Sequence, residues 1–441
     1  MDRKYEVTYR ELIEFFLPIA VMTMIMMSSH NVISSALAQT AFPAIALSAY
    51  SVGQSMSATL QAPIWAIVKL TTSVAQDYKS AVNLMKVAAT IGIIVLVALL
   101  LVAFTPLSNV VFRGIMGVSD ELFDDTLMAF RVLIIMPVFG VIRTTHQGFV
   151  ALRRKTYWMT LGTIIRISSM FIAAIVLTKT DFITGGAVGA AILLIGFSFE
   201  SIVAFFTGRK WFKEAPEKNE EGRDPLSVKK IWLFFIPLIL AQISTSFVNP
   251  GISATLARAA EPEEAISSYY IARSLAWIFL GMGFRVHQLV LVFVKDRLSW
   301  ERVRRFVYGL VLIMVFCLAT IAFTPVGPWI YANILKVEID LAQRAIKALA
   351  FFVIIPPAMF ISELHQGLML KKQKSNGLTI CKAFNIATLL GLIIILVNIA
   401  PQLGSAIASI SLAASYIVEC IVAYWLTKDM VFKEKRIRKK V

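Results

Sequence analysis

Acidic residues are scarce in this sequence: 27 aspartates and glutamates stand against 43 lysines and arginines, for a net charge of +16 over 441 residues. Cysteine is rarer still, and Cys317, Cys381 and Cys420 share no repeated spacing, so neither a disulfide framework nor a zinc site follows from them. There is no Walker A loop, which argues against nucleotide hydrolysis by this chain as a source of energy. No paired-carboxylate metal motif and no nucleophile constellation occurs either, so the expectation is a protein that is not an enzyme and carries no metal or cofactor. Asn-x-Ser/Thr acceptors are also missing, and no cleavable signal peptide is expected, because the charged start leads into a span too long for a signal h-region. Polar stretches of soluble composition are confined to one segment, 213–225.

What fills the chain instead is apolar. Hydrophobic residues make up 58% and the mean hydropathy is +0.75, against roughly 45–50% apolar residues in a soluble domain. Charge-free runs such as 87–105 and 306–324 approach the ~20 residues that a helix needs to cross the hydrocarbon core. Six spans are predicted in each half: 12–37, 44–68, 83–105, 126–149, 157–178 and 185–208, then 231–256, 263–291, 303–323, 342–367, 376–398 and 403–426.

The halves are copies. A constant displacement of 219 residues carries Phe15-Phe16-Leu17-Pro18 onto Phe234-Phe235-Ile236-Pro237, and Ala103-Phe104-Thr105-Pro106 onto Ala322-Phe323-Thr324-Pro325. It also carries His146-Gln147-Gly148 onto His365-Gln366-Gly367, and Glu200-Ser201-Ile202-Val203-Ala204 onto Glu419-Cys420-Ile421-Val422-Ala423. An internally duplicated polytopic chain is the signature of a transporter that rocks two lobes around a shared site. The expected architecture is an all-α membrane protein with twelve transmembrane helices in two pseudo-symmetric six-helix bundles. The lobes are 1–208 and 231–441, the latter ending in a basic tail, with 209–230 as a cytoplasmic linker and a flexible tether. Equal span number and orientation make the repeat parallel.

The excess positive charge is topological. Arg3, Lys4, Arg10, Arg153, Arg154, Lys155, Arg304, Arg305, Lys371, Lys372 and the 433–440 tail fall on one side, while the opposite loops hold few cations beside several acids. The positive-inside bias then places both termini in the cytoplasm, and a bacterial cytoplasmic membrane is expected. Basic loops attract anionic lipid head groups; no basic face is interleaved with exposed aromatics, so no nucleic acid is expected as a partner.

Chemistry should sit on polar residues inside the spans, because ionisable groups there are costly and face a cavity or one another. Arg166 and Arg273 lie nine to ten residues into their spans, roughly 14 Å deep at 1.5 Å per residue. Arg143, Arg285 and His287 lie nearer the cytoplasmic side, and His30 with Asn31 sits in the first span. More positive than negative charge suits an anion, since arginine binds carboxylates and phosphates by paired hydrogen bonds. The substrate-binding candidates are therefore Arg143, Arg166, Arg273, Arg285, His30, Asn31 and Asn249. Candidates for coupling are Glu200, Glu419, Glu363, His146 and His365; the duplicated His-Gln-Gly reads equally well as a packing motif at a helix end.

Two bundles of six spans, each opening on Phe-Phe-x-Pro, with a basic loop after the fourth span, resemble the multidrug and toxic compound extrusion (MATE) fold of the multidrug/oligosaccharidyl-lipid/polysaccharide (MOP) exporter superfamily. More narrowly, Phe15-Phe16-Leu17-Pro18, Pro137 leading to Thr145-His146-Gln147-Gly148, Phe235-Ile236-Pro237 and Asn249-Pro250 are similar to the progressive ankylosis family. That resemblance implies export of pyrophosphate-, nucleotide- or citrate-like anions. The leading expectation is a monomeric secondary exporter of a small organic or phosphorylated anion, coupled to H+ or Na+ and working by alternating access. Two alternatives stay open: a flippase for a lipid-linked anion such as a polyprenyl-pyrophosphate glycan, and MATE-type H+- or Na+-coupled multidrug efflux. The latter implies an acid in the first span, where His30-Asn31 stands.

Overall fold

The computed structural model describes residues 7–27, 29–180, 183–217, 224–246, 248–256, 258–335 and 339–432. Among them the chain is helical almost throughout. Nine helices are long and apolar enough to cross a membrane, and the bent pair Ile339–Phe352 and Ile355–Lys371 makes a tenth. The first and second spans complete the twelve in broken form. The first runs as Tyr9–Met27 and then Ser29–Leu37, the second as Pro43–Leu60, Ala62–Trp65 and Ile67–Val74. Spans three to six are Tyr78–Phe104, Asp120–Leu152, Tyr157–Leu177 and Gly186–Gly208. The seventh and eighth are Val228–Ser246 with Val248–Leu256, and Pro262–Phe293; the ninth is Arg297–Phe323, and the eleventh and twelfth are Asn376–Ile399 and Ser405–Phe432.

The breaks have local causes. Pro137 and Pro356 stand at the start of the inner segments of the fourth and tenth spans, where a missing N–H and a ring clash interrupt the helical ladder, and the tenth bends by 41°. Pro18 and Pro237 lie inside the first and seventh spans. The Thr160 hydroxyl donates to the Pro18 carbonyl at 2.6 Å, a polar contact that the apolar surroundings demand.

The 219-residue register persists in backbone detail. Asp77 caps the third span by accepting from the Ser80 N–H at 2.7 Å, and Asp296 caps the ninth by accepting from Ser299 at 2.9 Å. The Thr105 and Thr324 hydroxyls each donate 2.6 Å back to a carbonyl at the far ends of those spans. Left-handed backbone recurs at Arg154 and Gln373 (φ 58° and 56°) and at Gly185 and Gly404 (φ 60° and 54°). Equivalent sequence has thus produced equivalent turns.

Contacts divide the chain into two compact units, Leu17–Gln242 and Ile243–Val441 with Met1–Phe16. The unit boundaries therefore fall within the first and seventh spans rather than in the 209–230 segment. Phe15 packs edge-on against Phe293 at 5.2 Å and Phe16 against Phe306 at 6.2 Å, which explains the aromatic pair ahead of Pro18. The predicted linker differs from a free tether in its described portion. Trp211 is buried and stacks on Phe149 at 5.1 Å; the Pro216 carbonyl accepts from the Tyr78 N–H at 3.1 Å, and the Leu226 carbonyl accepts from Asn83 at 2.9 Å. Unmet hydrogen-bonding groups at the start of the third span account for this strapping.

Small residues set the closest helix approaches, as membrane packing requires. A Cβ at Gly148 would meet Thr71 Cβ at 2.4 Å, and one at Gly367 would meet Val290 Cβ at 2.7 Å, the same contact in each half. Gly148→Val is expected to lower stability by about 1–3 kcal/mol through overpacking. Gly391→Ala, with no heavy atom within 4 Å of the new carbon, should be neutral. Thermal unfolding of both purified proteins in detergent checks this, and equal melting temperatures would remove the packing role from Gly148.

Candidate functional site

In the first half a single carboxylate gathers the polar residues of three spans. Glu200, on the sixth span, is 1% exposed. Its Oε1 lies 3.0 Å from Arg143 Nε and accepts from Gln147 Nε2 at 3.1 Å, both from the fourth span. Thr163 Oγ1 donates to the same oxygen at 3.3 Å, and Arg166 Nη1 donates to Oε2 at 3.4 Å, both from the fifth. Arg143 with Gln147 and Thr163 with Arg166 are i,i+4 and i,i+3 pairs, so each helix presents two donors on one face. The Phe197 ring lies 4.6 Å from the Arg143 guanidinium and 5.2 Å from that of Arg166, close enough for cation–π attraction to both. One carboxylate offsets two guanidinium groups, and Arg143 Nη1 and Arg166 Nε have no hydrogen-bond partner among the described residues. A void of about 10 Å³ beside Gln147 and Glu200 has room for about one water.

The second half repeats the frame with different charges. Glu419, equally buried, accepts from Gln366 Nε2 at 2.7 Å and from Lys382 Nζ at 2.6 Å, both on Oε1. Lys382 occupies the register of Thr163. The registers of Arg143 and Arg166 hold Ser362, which accepts from Gln366 at 2.9 Å, and Asn385, which donates to Ser415 at 3.2 Å. Glu419 Oε2 has no partner among the described residues. A separate buried pair joins His287 Nδ1 and Glu363 Oε2 at 2.9 Å across the eighth and tenth spans.

Each residue of the duplicated His-Gln-Gly has one task. Gln147 and Gln366 hold the two glutamates, and Gly148 and Gly367 admit the second and eighth spans. His146 Nδ1 donates to the Ile142 carbonyl at 2.7 Å, since a carbonyl only accepts, and its ring packs between Phe149 and Phe205. His365 Nδ1 meets Thr427 Oγ1 at 2.7 Å, between Trp300 and Tyr424. Because the Thr427 hydroxyl already donates to the Ala423 carbonyl at 2.8 Å, this histidine too carries its proton on Nδ1. Enclosure by aromatics at equivalent places supports the packing reading of both histidines.

The predicted site residues are thus sorted into groups. Arg143, Arg166 and Glu200 come together inside the first half, with both guanidinium groups of these substrate-binding candidates buried against the carboxylate. The reason is the carboxylate: an unpaired guanidinium in an apolar interior is far costlier than a paired one. Arg273 is half-buried, with its guanidinium 4.6 Å from the Trp277 ring and 5.9 Å from that of Tyr270, and no described carboxylate forms an ion pair with it. Arg285 is half-buried at the end of the short Gly281–Arg285 turn. The side chains of His30, Asn31 and Asn249 lie outside the described residues. Lys382 was missed by the sequence reading, although it is the sole charged residue of the apolar span Asn376–Ile399.

Comparisons with known proteins agree with this architecture. The family model of the progressive ankylosis protein (ANKH) matches residues 224–425. No curated protein matches the chain. Among solved structures, a MATE protein in the bent conformation is similar at 17% identity and a TM-score of 0.77, covering 97% of this chain and 96% of that one. A multidrug resistance MATE transporter of the MOP superfamily, in an outward-facing conformation, matches at 16% identity and TM-score 0.73, with 96% of each chain covered. A MOP superfamily transporter from Pyrococcus furiosus, described as having a binding pocket of reverse polarity that suggests a different function, matches at 15% identity and TM-score 0.74 over 97% of this chain and 96% of that one. The chain is an integral multi-pass membrane protein with a MATE-like fold, and its second half is similar to the progressive ankylosis family.

Removing Glu200 leaves two buried guanidinium groups without a counter-charge, so Glu200→Gln is expected to cost about 3–5 kcal/mol and most of the folded yield. Arg166→Gln retains the Arg143 pair and should fold. Size-exclusion profiles and melting temperatures of the two variants decide it; a well-folded Glu200→Gln protein would mean that the cluster is not what holds these three spans together.

Proposed function

We propose that this MATE-like chain is a secondary exporter of a small organic or phosphorylated anion, driven by a coupled ion and operating by alternating access of its two halves. Both termini lie in the cytoplasm on this reading, as the basic loops imply. One observation supports the substrate class above others: interior cations outnumber interior carboxylates. Arg143, Arg166, Arg273, Arg285 and Lys382 stand against Glu200, Glu419 and Glu363, the last bonded to His287. A fixed positive excess in a low-dielectric interior is costly alone and favourable with an anion present. It is the wrong sign for cationic drugs. A structural neighbour from Pyrococcus furiosus is itself described as having a binding pocket of reverse polarity, in keeping with this reading.

Within that excess the roles differ. Arg143 and Arg166 are committed to Glu200 beside a void of one water, so they set the field rather than grip substrate. Arg273 presents a fork of donors with no ion-paired carboxylate among the described residues, backed by the rings of Trp277 and Tyr270.

Arg273→Gln should fold normally and lose about tenfold to a hundredfold in anion affinity, the value of a charge-assisted fork at ~1.5–3 kcal/mol. Titration of the purified protein with pyrophosphate and with citrate, alongside a polyprenyl phosphate, provides the measurement. Preference for the polyprenyl phosphate would favour the flippase alternative, and stabilisation by cationic drugs alone would overturn the anion reading.

A further inference from the structure

In the first half the turn before the sixth span is packed shut. A Cβ on Gly186 would lie 2.7 Å from the Tyr50 backbone nitrogen and 2.8 Å from Ala49 Cβ of the second span, and one on Gly189 would lie 3.0 Å from the Tyr50 ring. One on Gly185 would lie 2.7 Å from the Asp125 carboxylate of the fourth. The 219-residue register puts Ser405 and Ala408 where Gly186 and Gly189 stand, and side chains there cannot keep so close an approach. The turn stands off from the tenth span as well: a Cβ on Gly404, the counterpart of Gly185, would meet a single described heavy atom within 4 Å, Ala265 Cβ at 3.9 Å. A cavity of about 740 Å³ occupies the gap, between the starts of the eighth, tenth and twelfth spans and inside one compact unit. Small-molecule sites measure roughly 300–1,000 Å³.

Charge has changed at the same place. Asp124, Asp125 and Met128 of the fourth span correspond to Gln343, Arg344 and Lys347 of the tenth, and all three of the latter line the cavity. Arg344 turns its whole fork to the carboxylates at the mouth: Nη1 to Glu261, Nη2 to Glu264 at 2.7 Å and Nε to Asp340 at 3.5 Å. Both acids of the lining, Glu261 and Asp340, are thereby engaged. Lys347 lies about 10 Å further in than Asp340 at 1.5 Å per residue, and forms no ion pair among the described residues. The Gln343 and Gln402 amides on the same lining are likewise without a side-chain partner among them. An ammonium only donates, and each amide offers an N–H₂ donor, so the unengaged groups suit a ligand rich in acceptors. Three carboxylates against one guanidinium leave the mouth negative; Lys347 leaves the interior of the cavity positive.

We propose that this cavity is a second anion station, in which Lys347 with the amides of Gln343 and Gln402 holds a carboxylate or phosphate group by charge-assisted hydrogen bonds. It rests on the anion-export reading, and on the orientation proposed with that reading the cavity opens to the outer face. Ser268, in the cavity wall, precedes Arg273 by five residues on the eighth span, about 7–8 Å along the helix at 1.5 Å per residue. The station is therefore the next cation outward from the proposed anion grip. A single solvated ammonium holds an anion weakly, which suits a place of release. The negative mouth lowers the local concentration of anions arriving from solution, so it opposes refilling from outside. The first half has neither the space nor the cation, since glycines close the one and Met128 stands in the register of the other.

Leu403→Cys in the full-length purified protein puts a thiol at an exposed position of the lining without removing a proposed ligand. Its labelling by an anionic and by a cationic methanethiosulfonate is measured above the background of the parent's own cysteines, each rate divided by that reagent's rate with a simple thiol. The anionic reagent should be favoured, and pyrophosphate or citrate should slow labelling; the lower protecting concentration assigns the station to phosphate or to carboxylate chemistry. Adding Lys347→Gln should raise the protecting concentration about tenfold or more and abolish the preference for the anionic reagent. Lys347→Arg should keep both effects, and Arg273→Gln should leave them unchanged. Preference for the cationic reagent, or equal protection with and without Lys347→Gln, overturns the station. Absence of protection while titration still shows Arg273-dependent anion binding overturns the station and leaves the export reading standing. Lys347-dependent protection in a protein whose titration ignores Arg273→Gln keeps the station and defeats the interior grip.

Discussion

The constraint on which the structure depends is the cost of charge in an apolar interior. Glu200 and Glu419 are each 1% exposed, in the middle of mostly apolar helices. A carboxylate in that position is tolerable only if donors converge on it from adjacent helices, and donors can converge only if those helices pack in one register. Gln147 and Gln366 supply the constant donor, while the glycines that follow them bring a further helix against the same segment. Fold and charge are therefore one problem: the carboxylate specifies how the fourth, fifth and sixth spans of each half meet, and their meeting keeps the carboxylate buried.

Duplication followed by divergence has kept the frame and changed the charges. Caps at Asp77 and Asp296, left-handed turns at Arg154 and Gln373, and the Gln–Glu bond are common to both halves. The cation differs: two arginines in the first half, one lysine at another register in the second. Arginine with its delocalised, permanently charged fork suits a fixed electrostatic element, whereas lysine is a compact charge that responds to its partner's protonation.

Much of this was legible in the sequence because it follows from composition and period alone. Apolar runs of membrane length, cations biased to one side and a repeat of constant offset give an all-α, duplicated membrane protein without reference to any contact, since lipid leaves helices as the only open-ended way to satisfy a backbone. The intramembrane position of Arg143, Arg166, Arg273, Glu200 and Glu419 was equally visible, and so was their functional interest. Which of them pair was not, because that depends on the rotation of each helix about its axis and on side-chain reach across three helices, neither of which a linear period specifies. Tertiary structure decided that Arg166 shares Glu200 with Arg143, that Arg273 stands beside Trp277 without an ion-paired acid among the described residues, and that Lys382, unremarked in its apolar run, lands on Glu419. Sequence determines which charges enter the membrane; only packing determines which of them are cancelled there.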